Sequence, residues 1–92
     1  MTDLLALVHS EADNAASIYG AFTSTHEALG VLIEEVDELR AAIHANNVVA
    51  IRDEAIQVAA VALRLAEACQ LAHEAPEGDP THFARRSFKW AR

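Results

Sequence analysis

Ala55-Ile56-Gln57-Val58-Ala59-Ala60-Val61-Ala62-Leu63 is apolar on every side of a helix except at Gln57. The stretch lies inside a longer pattern over residues 48–73 with no strand alternation, so it reads as the middle of a helix that forms the core. A helix that is hydrophobic all round must be covered all round. In a chain of 92 residues that cover requires a partner. The alanines at 55, 59, 60, 62 and 66 would let neighbouring helix axes approach closely.

Upstream, Asn46-Asn47 makes a tight turn with Asn47 as N-cap. A second helix over 26–45 then folds back on the third as an antiparallel hairpin. Its apolar stripe is Leu29, Leu32, Val36, Leu39 and Ile43, spaced three, four, three, four. Before it, Ser24 with Glu27 has the form of a capping box, and Gly20 ends a first helix over 3–19. That helix carries Leu4, Val8, Ala12, Ala15 and Ile18 on one stripe, with Glu11, Asp13 and Asn14 off it. Downstream, Pro76-Glu77-Gly78-Asp79-Pro80 breaks the pattern, and Asp79 with Pro80 can start a short fourth helix. The expected architecture is all-α: one domain over 1–92, an antiparallel bundle of about four helices. Its central hairpin spans 26–73, its basic aromatic C-terminal segment spans 79–92, and oligomerisation completes its core.

Composition narrows the function. A chain this short buries only roughly 60–65% of its unfolded surface, yet 52% of its residues are apolar. The net charge of −7 argues against a nucleic-acid polymer as partner and leaves any anionic substrate in need of a metal ion or an arginine cluster. The single cysteine, Cys69, fits a reducing compartment. Met1-Thr2-Asp3 is acidic where a secretory leader requires basic residues, and no uncharged apolar run reaches 18 residues. The cytoplasm, with no membrane partner, is the expectation.

The chemistry-bearing stretch is Glu34-Glu35-Val36-Asp37-Glu38. Glu34, Glu35 and Glu38 share an arc of roughly 100° largely opposite the apolar stripe, while Asp37 points toward Arg40 and is read as solvated. An acidic run is ordinarily a solvated face. Here, however, Glu34 and Glu38 repel at i,i+4 by about 0.2–0.5 kcal/mol with no lysine among them. Glu54, three residues before Gln57, opens the apolar helix, where an unpaired carboxylate costs several kcal/mol. One bound cation resolves both. An all-oxygen set suits Mg2+ or Mn2+ rather than structural zinc, and Mg2+ keeps sites open for substrate phosphates.

Glu34-Glu35-x-x-Glu38, fifteen intervening residues, then Glu54-x-x-Gln57 resembles the EExxE…ExxD signature of the MazG-like all-α nucleoside triphosphate pyrophosphohydrolases. The flanks His26-Glu27-Ala28-Leu29-Gly30-Val31-Leu32-Ile33 and Val58-Ala59-Ala60-Val61-Ala62 extend the likeness over residues 22–70. The resemblance implies a helical-hairpin core assembled as a homodimer or homotetramer. It also implies Mg2+-dependent cleavage of a nucleoside triphosphate to monophosphate and pyrophosphate. Carried over by position, Glu35, Glu38 and Glu54 are metal ligands, and Glu34 is a ligand or the base that orients water. Gln57 departs from the family's aspartate. It offers a neutral carbonyl oxygen and leaves the site one charge short, so a homologue that binds nucleotide or metal without turnover is an alternative. A helical oligomerisation module with a solvated acidic face is another.

The remaining candidates are substrate contacts. Arg85, Arg86 and Lys89 belong to a tail that holds four of the seven basic residues and three of the five aromatics; they can reach phosphate oxygens or simply dress a packed segment. Tyr19 and Phe22, just ahead of the second helix, are candidate base-side contacts. The five histidines show no metal spacing.

Overall fold

The structure, a computed structural model, describes residues 2–74. Three helices follow in order: α1 (Leu4–Tyr19), α2 (Thr25–His44) and α3 (Val48–Glu74). The fourth helix and the basic aromatic tail expected from the sequence lie outside the described residues.

The ends of α1 and α2 and the start of α3 fall where local chemistry dictates. Asp3 caps α1 by accepting from the Ala6 N–H. Gly20, at φ 76°, closes α1 with its own N–H donating to the Ala16 carbonyl at 2.9 Å, a backbone region where a side chain is strained. Ser24 Oγ accepts from the Glu27 N–H at 3.1 Å. Glu27 reaches back one residue further than a standard capping box, accepting from the Thr23 N–H at 3.3 Å and the Thr23 hydroxyl at 2.8 Å.

The α2–α3 turn does two jobs with two asparagines. Asn46 takes φ 54° and donates to the Ile43 carbonyl, while the Asn47 N–H reaches back to the Ala42 carbonyl. That pair of bonds is a Schellman closure with Asn in the left-handed position. The Asn47 side chain then caps α3, its Oδ1 accepting from the Ala50 N–H at 3.1 Å. No residue is spare, so α2 must run back along α3.

α3 is the central helix; α1 and α2 both pack on it and scarcely touch each other. On α2 the inward positions are Thr25, Ala28, Leu32, Glu35, Leu39 and Ala42, all buried or half-buried. Their alternating spacing of three and four is a heptad seam. This corrects the expected stripe: Leu32 and Leu39 do turn inward, but Leu29, Val36 and Ile43 are 50, 36 and 48% exposed. The seam runs along the small residues Ala28 and Ala42 and takes Glu35 with it. On α1 the inward set is Leu7, Val8, Glu11, Ala12 and Ala15, with Leu4 and Ile18 left outside.

The core is small. Phe22, Ala28 and Val61 form its buried centre, with Val31, Leu32 and Leu65 packed against it. Burying a side chain such as Phe22 contributes about 1.5–3 kcal/mol, and few of the described residues do so. Ala55, Ala59, Ala62 and Ala66 of α3 are exposed, so two helices cover only part of the helix that the sequence requires to be covered on every side. By length and composition α3 also meets the requirement for crossing a bilayer, with mean hydropathy 1.4 over an 18-residue window of which 17% is buried.

Candidate metal centre

The α2 seam places Glu35 against α3, and Glu54, two turns into α3, faces it. Glu38 lies one turn beyond Glu35 on the exposed flank of the same helix. The three side chains each offer a carboxylate oxygen, and these oxygens all lie within 4.8 Å of one another. The hairpin thus joins two acids from one helix with one from the other.

Among the described residues no cation pairs with the group. Glu35 Oε2 and Glu54 Oε2 are both buried without a hydrogen-bond partner. Such atoms are rare because a lost partner costs the full desolvation of the group. Desolvation, reinforced by the charges of Glu38, Glu54 and Glu34, pushes the Glu35 carboxyl above its ordinary value. Glu54 is pushed up as well, by desolvation and then by the neighbouring Glu38 carboxylate, with Asp53 adding to it. Carboxylates whose oxygens lie within 4.8 Å of one another repel when all are ionised. Protonation relieves that at low pH, and a divalent cation would relieve it at neutral pH.

The donor set fits such an ion. Oxygens around one Mg2+ stand about 3 Å apart when adjacent and about 4.2 Å when opposite, given metal–oxygen distances of about 2.1 Å. The three glutamates are near that spacing already, on a rigid hairpin, with no sulfur or nitrogen donor among them.

Of the triplet, Glu35 also lines a cleft of about 490 Å³ between the three helices. Glu34, Glu35 and Gln57 line its acidic end, Glu11 and Asn14 of α1 form one wall, and Tyr19, Phe22 and Arg64 lie in its lining. Of the residues singled out from sequence, Glu35, Glu38 and Glu54 converge. Glu34 is exposed and lines the cleft without joining the triplet. Half-buried Gln57 lines this cleft and also a second pocket of about 330 Å³ with Leu7, Glu11, Arg52, Asp53 and Ile56. Tyr19 is 78% exposed, whereas Phe22 is buried in the core. Arg85, Arg86 and Lys89 lie outside the described residues. Asp37 pairs with Arg40 at 3.3 Å on the surface, matching its reading as solvated.

Sequence reasoning passed over two lining residues. Glu11 was placed off the α1 stripe, yet it faces inward. Arg64 carries no motif of its own, but it stands seven residues after Gln57, a two-turn spacing that puts both on one helix face.

No family model, curated protein or solved structure matches this chain.

Proposed function

We propose that this chain is a Mg2+-dependent nucleoside triphosphate pyrophosphohydrolase of the MazG-like kind, working in the cytoplasm as a homo-oligomer. The observation that carries the reading is the convergence of Glu35, Glu38 and Glu54 across the hairpin with two buried, unpartnered carboxylate oxygens. Glu35, Glu38 and Glu54 would hold the ion, Mg2+ or Mn2+. Bound there, it supplies charge neutralisation for the triphosphate and a more acidic water. Glu34, on the rim of the same cleft, accepts the proton of the attacking water at a carboxylate oxygen. The water oxygen bonds to the α-phosphorus, the α–β anhydride bond breaks, and pyrophosphate leaves. Gln57 orients ligand in the cleft through its amide and contributes no charge.

The neutral side chain at position 57 supports a second reading, binding without turnover. Both are tested by assaying pyrophosphate release from a panel of ribo- and deoxyribonucleoside triphosphates with Mg2+, for the wild type and Gln57→Asp. Under the first reading the wild type turns over at least one nucleotide and Gln57→Asp improves kcat/KM by roughly tenfold, the lower end of what supporting groups at metal sites are worth. Activity only in Gln57→Asp selects the second reading. Activity in neither removes both enzymatic readings.

Self-assembly is supported by the outer stripe of α2, where Leu29, Ile33, Val36 and Ile43 are all exposed. Together with the alanine face of α3 this forms apolar surface of the kind that marks contact sites. Sedimentation at micromolar protein is expected to give a dimer or tetramer, and Ile33→Asp with Val36→Asp a monomer. A wild-type monomer contradicts the assembly.

A further inference from the structure

Arg64 is a cation set in an acidic cleft and paired with none of its acids. Glu11, Glu27, Glu34 and Glu35 all line that cleft, but the guanidinium lies over the Phe22 ring, 4.2 Å from its centroid, and donates through Nη2 to the Gly20 carbonyl at 3.2 Å. Phe22 is anchored in the core and Gly20 closes α1, so the plane of the guanidinium is held by two fixed partners. A guanidinium has five N–H donors and no acceptor. The Gly20 bond engages one nitrogen, which leaves a fixed donor edge available to whatever occupies the cleft.

Distance along α3 decides which end of a ligand meets that edge. Arg64 stands seven residues beyond Gln57 and ten beyond Glu54, about 10 Å and about 15 Å along the axis. Phosphate oxygens held through an ion at Glu35 and Glu54 would lie beside those residues, at the start of that span. The opposite end of a nucleoside triphosphate is its base. Resting on the function proposed above, we infer that Arg64 reads the base edge, preferring guanine or cytosine to adenine. Guanine presents O6 beside N7, and cytosine presents O2 beside N3, each an acceptor pair matched to a guanidinium fork. Adenine sets its amino donor beside the ring nitrogens, against a group that can only donate. Asn14, lining the same cleft, supplies a side-chain carbonyl acceptor for the amino group that guanine and cytosine carry.

The test is calorimetric titration with non-hydrolysable α,β-methylene triphosphates of the four bases, with Mg2+, on the wild type, Arg64→Met and Arg64→Lys. The wild type is expected to bind the guanine or cytosine analogue at least about tenfold tighter than the adenine one. Both variants bring the preferred analogue to the adenine level, because lysine keeps the charge but not the fork. Inorganic triphosphate separates the two acceptor sources: unchanged affinity in Arg64→Met agrees with a base contact, and a loss as large as for nucleotides assigns Arg64 to phosphate and overturns the inference. Equal weakening of all four analogues, with a lower unfolding temperature, reduces Arg64 to a clamp on the α1–α2 connection and also overturns it. Failure of the metal reading looks different: base preference persists while Mg2+ changes neither affinity nor stability. Binding of no analogue overturns both.

Discussion

Glu54→Ala is expected to lower Mg2+-dependent pyrophosphate release at least about 100-fold, because even outer supports of a metal ligand are worth roughly 10–100-fold and the proposed function puts Glu54 in the ligand set itself. It is also the single member of the triplet carried by α3, so its loss leaves two carboxylates on one helix with nothing opposite. The substitution deletes a half-buried acid with an unpartnered oxygen from beside Glu35, so the metal-free variant unfolds at the same temperature as the wild type or higher. Asp37→Ala, which removes an exposed acid paired only with Arg40, serves as the control and leaves turnover unchanged. Steady-state assays with thermal melts on both variants check this. A Glu54→Ala variant within a few-fold of wild type would mean that the triplet holds no essential ion.

A second large effect is on stability. An ion that binds only the native state at a hundredfold its Kd contributes about 2.7 kcal/mol, which for a domain of this size is about 10–20 °C in unfolding temperature. The pH dependence without metal has a definite sign. Glu35 and Glu54 have their folded-state values raised above 4.5, so between 4.5 and the raised values the folded chain holds protons that the unfolded chain has released. Their contribution is fully present below 4.5 and is lost as pH rises through the raised values. Melts in chelator are therefore expected to show the wild type losing stability relative to Glu35→Gln across that window. The Mg2+ increment grows over the same window in the wild type and is absent in Glu35→Gln. Parallel pH curves for the two proteins in chelator, with no Mg2+ increment in either, would contradict the account.

The helices were legible because their boundaries are chemical. Gly20, Ser24 and the Asn46-Asn47 pair are turn and cap residues that act locally, and each ends or starts a helix where its type requires. The direction of each helix face was less legible. On α2, counting large apolar side chains selected Leu29, Val36 and Ile43, whereas the packed seam follows the alanines at 28 and 42, where axes approach closely. That choice is made by the neighbouring helix, and it decided whether Glu35 faced solvent or α3. The grouping of Glu35, Glu38 and Glu54 was readable as spacing on a hairpin. Arg64 was not readable as part of a cleft, because its position depends on Phe22 and Gly20 folding back over α3 from 44 residues away.

The most direct measurement is a Mn2+ titration followed by electron paramagnetic resonance, on the wild type and Glu54→Ala, with and without a non-hydrolysable nucleoside triphosphate. Saturable, stoichiometric loss of the free-ion signal is expected in the wild type, and no such loss in Glu54→Ala. Phosphorus coupling to the bound ion is also expected once nucleotide is added. A free-ion signal that rises linearly with added Mn2+ in the wild type, as in buffer alone, would contradict the account.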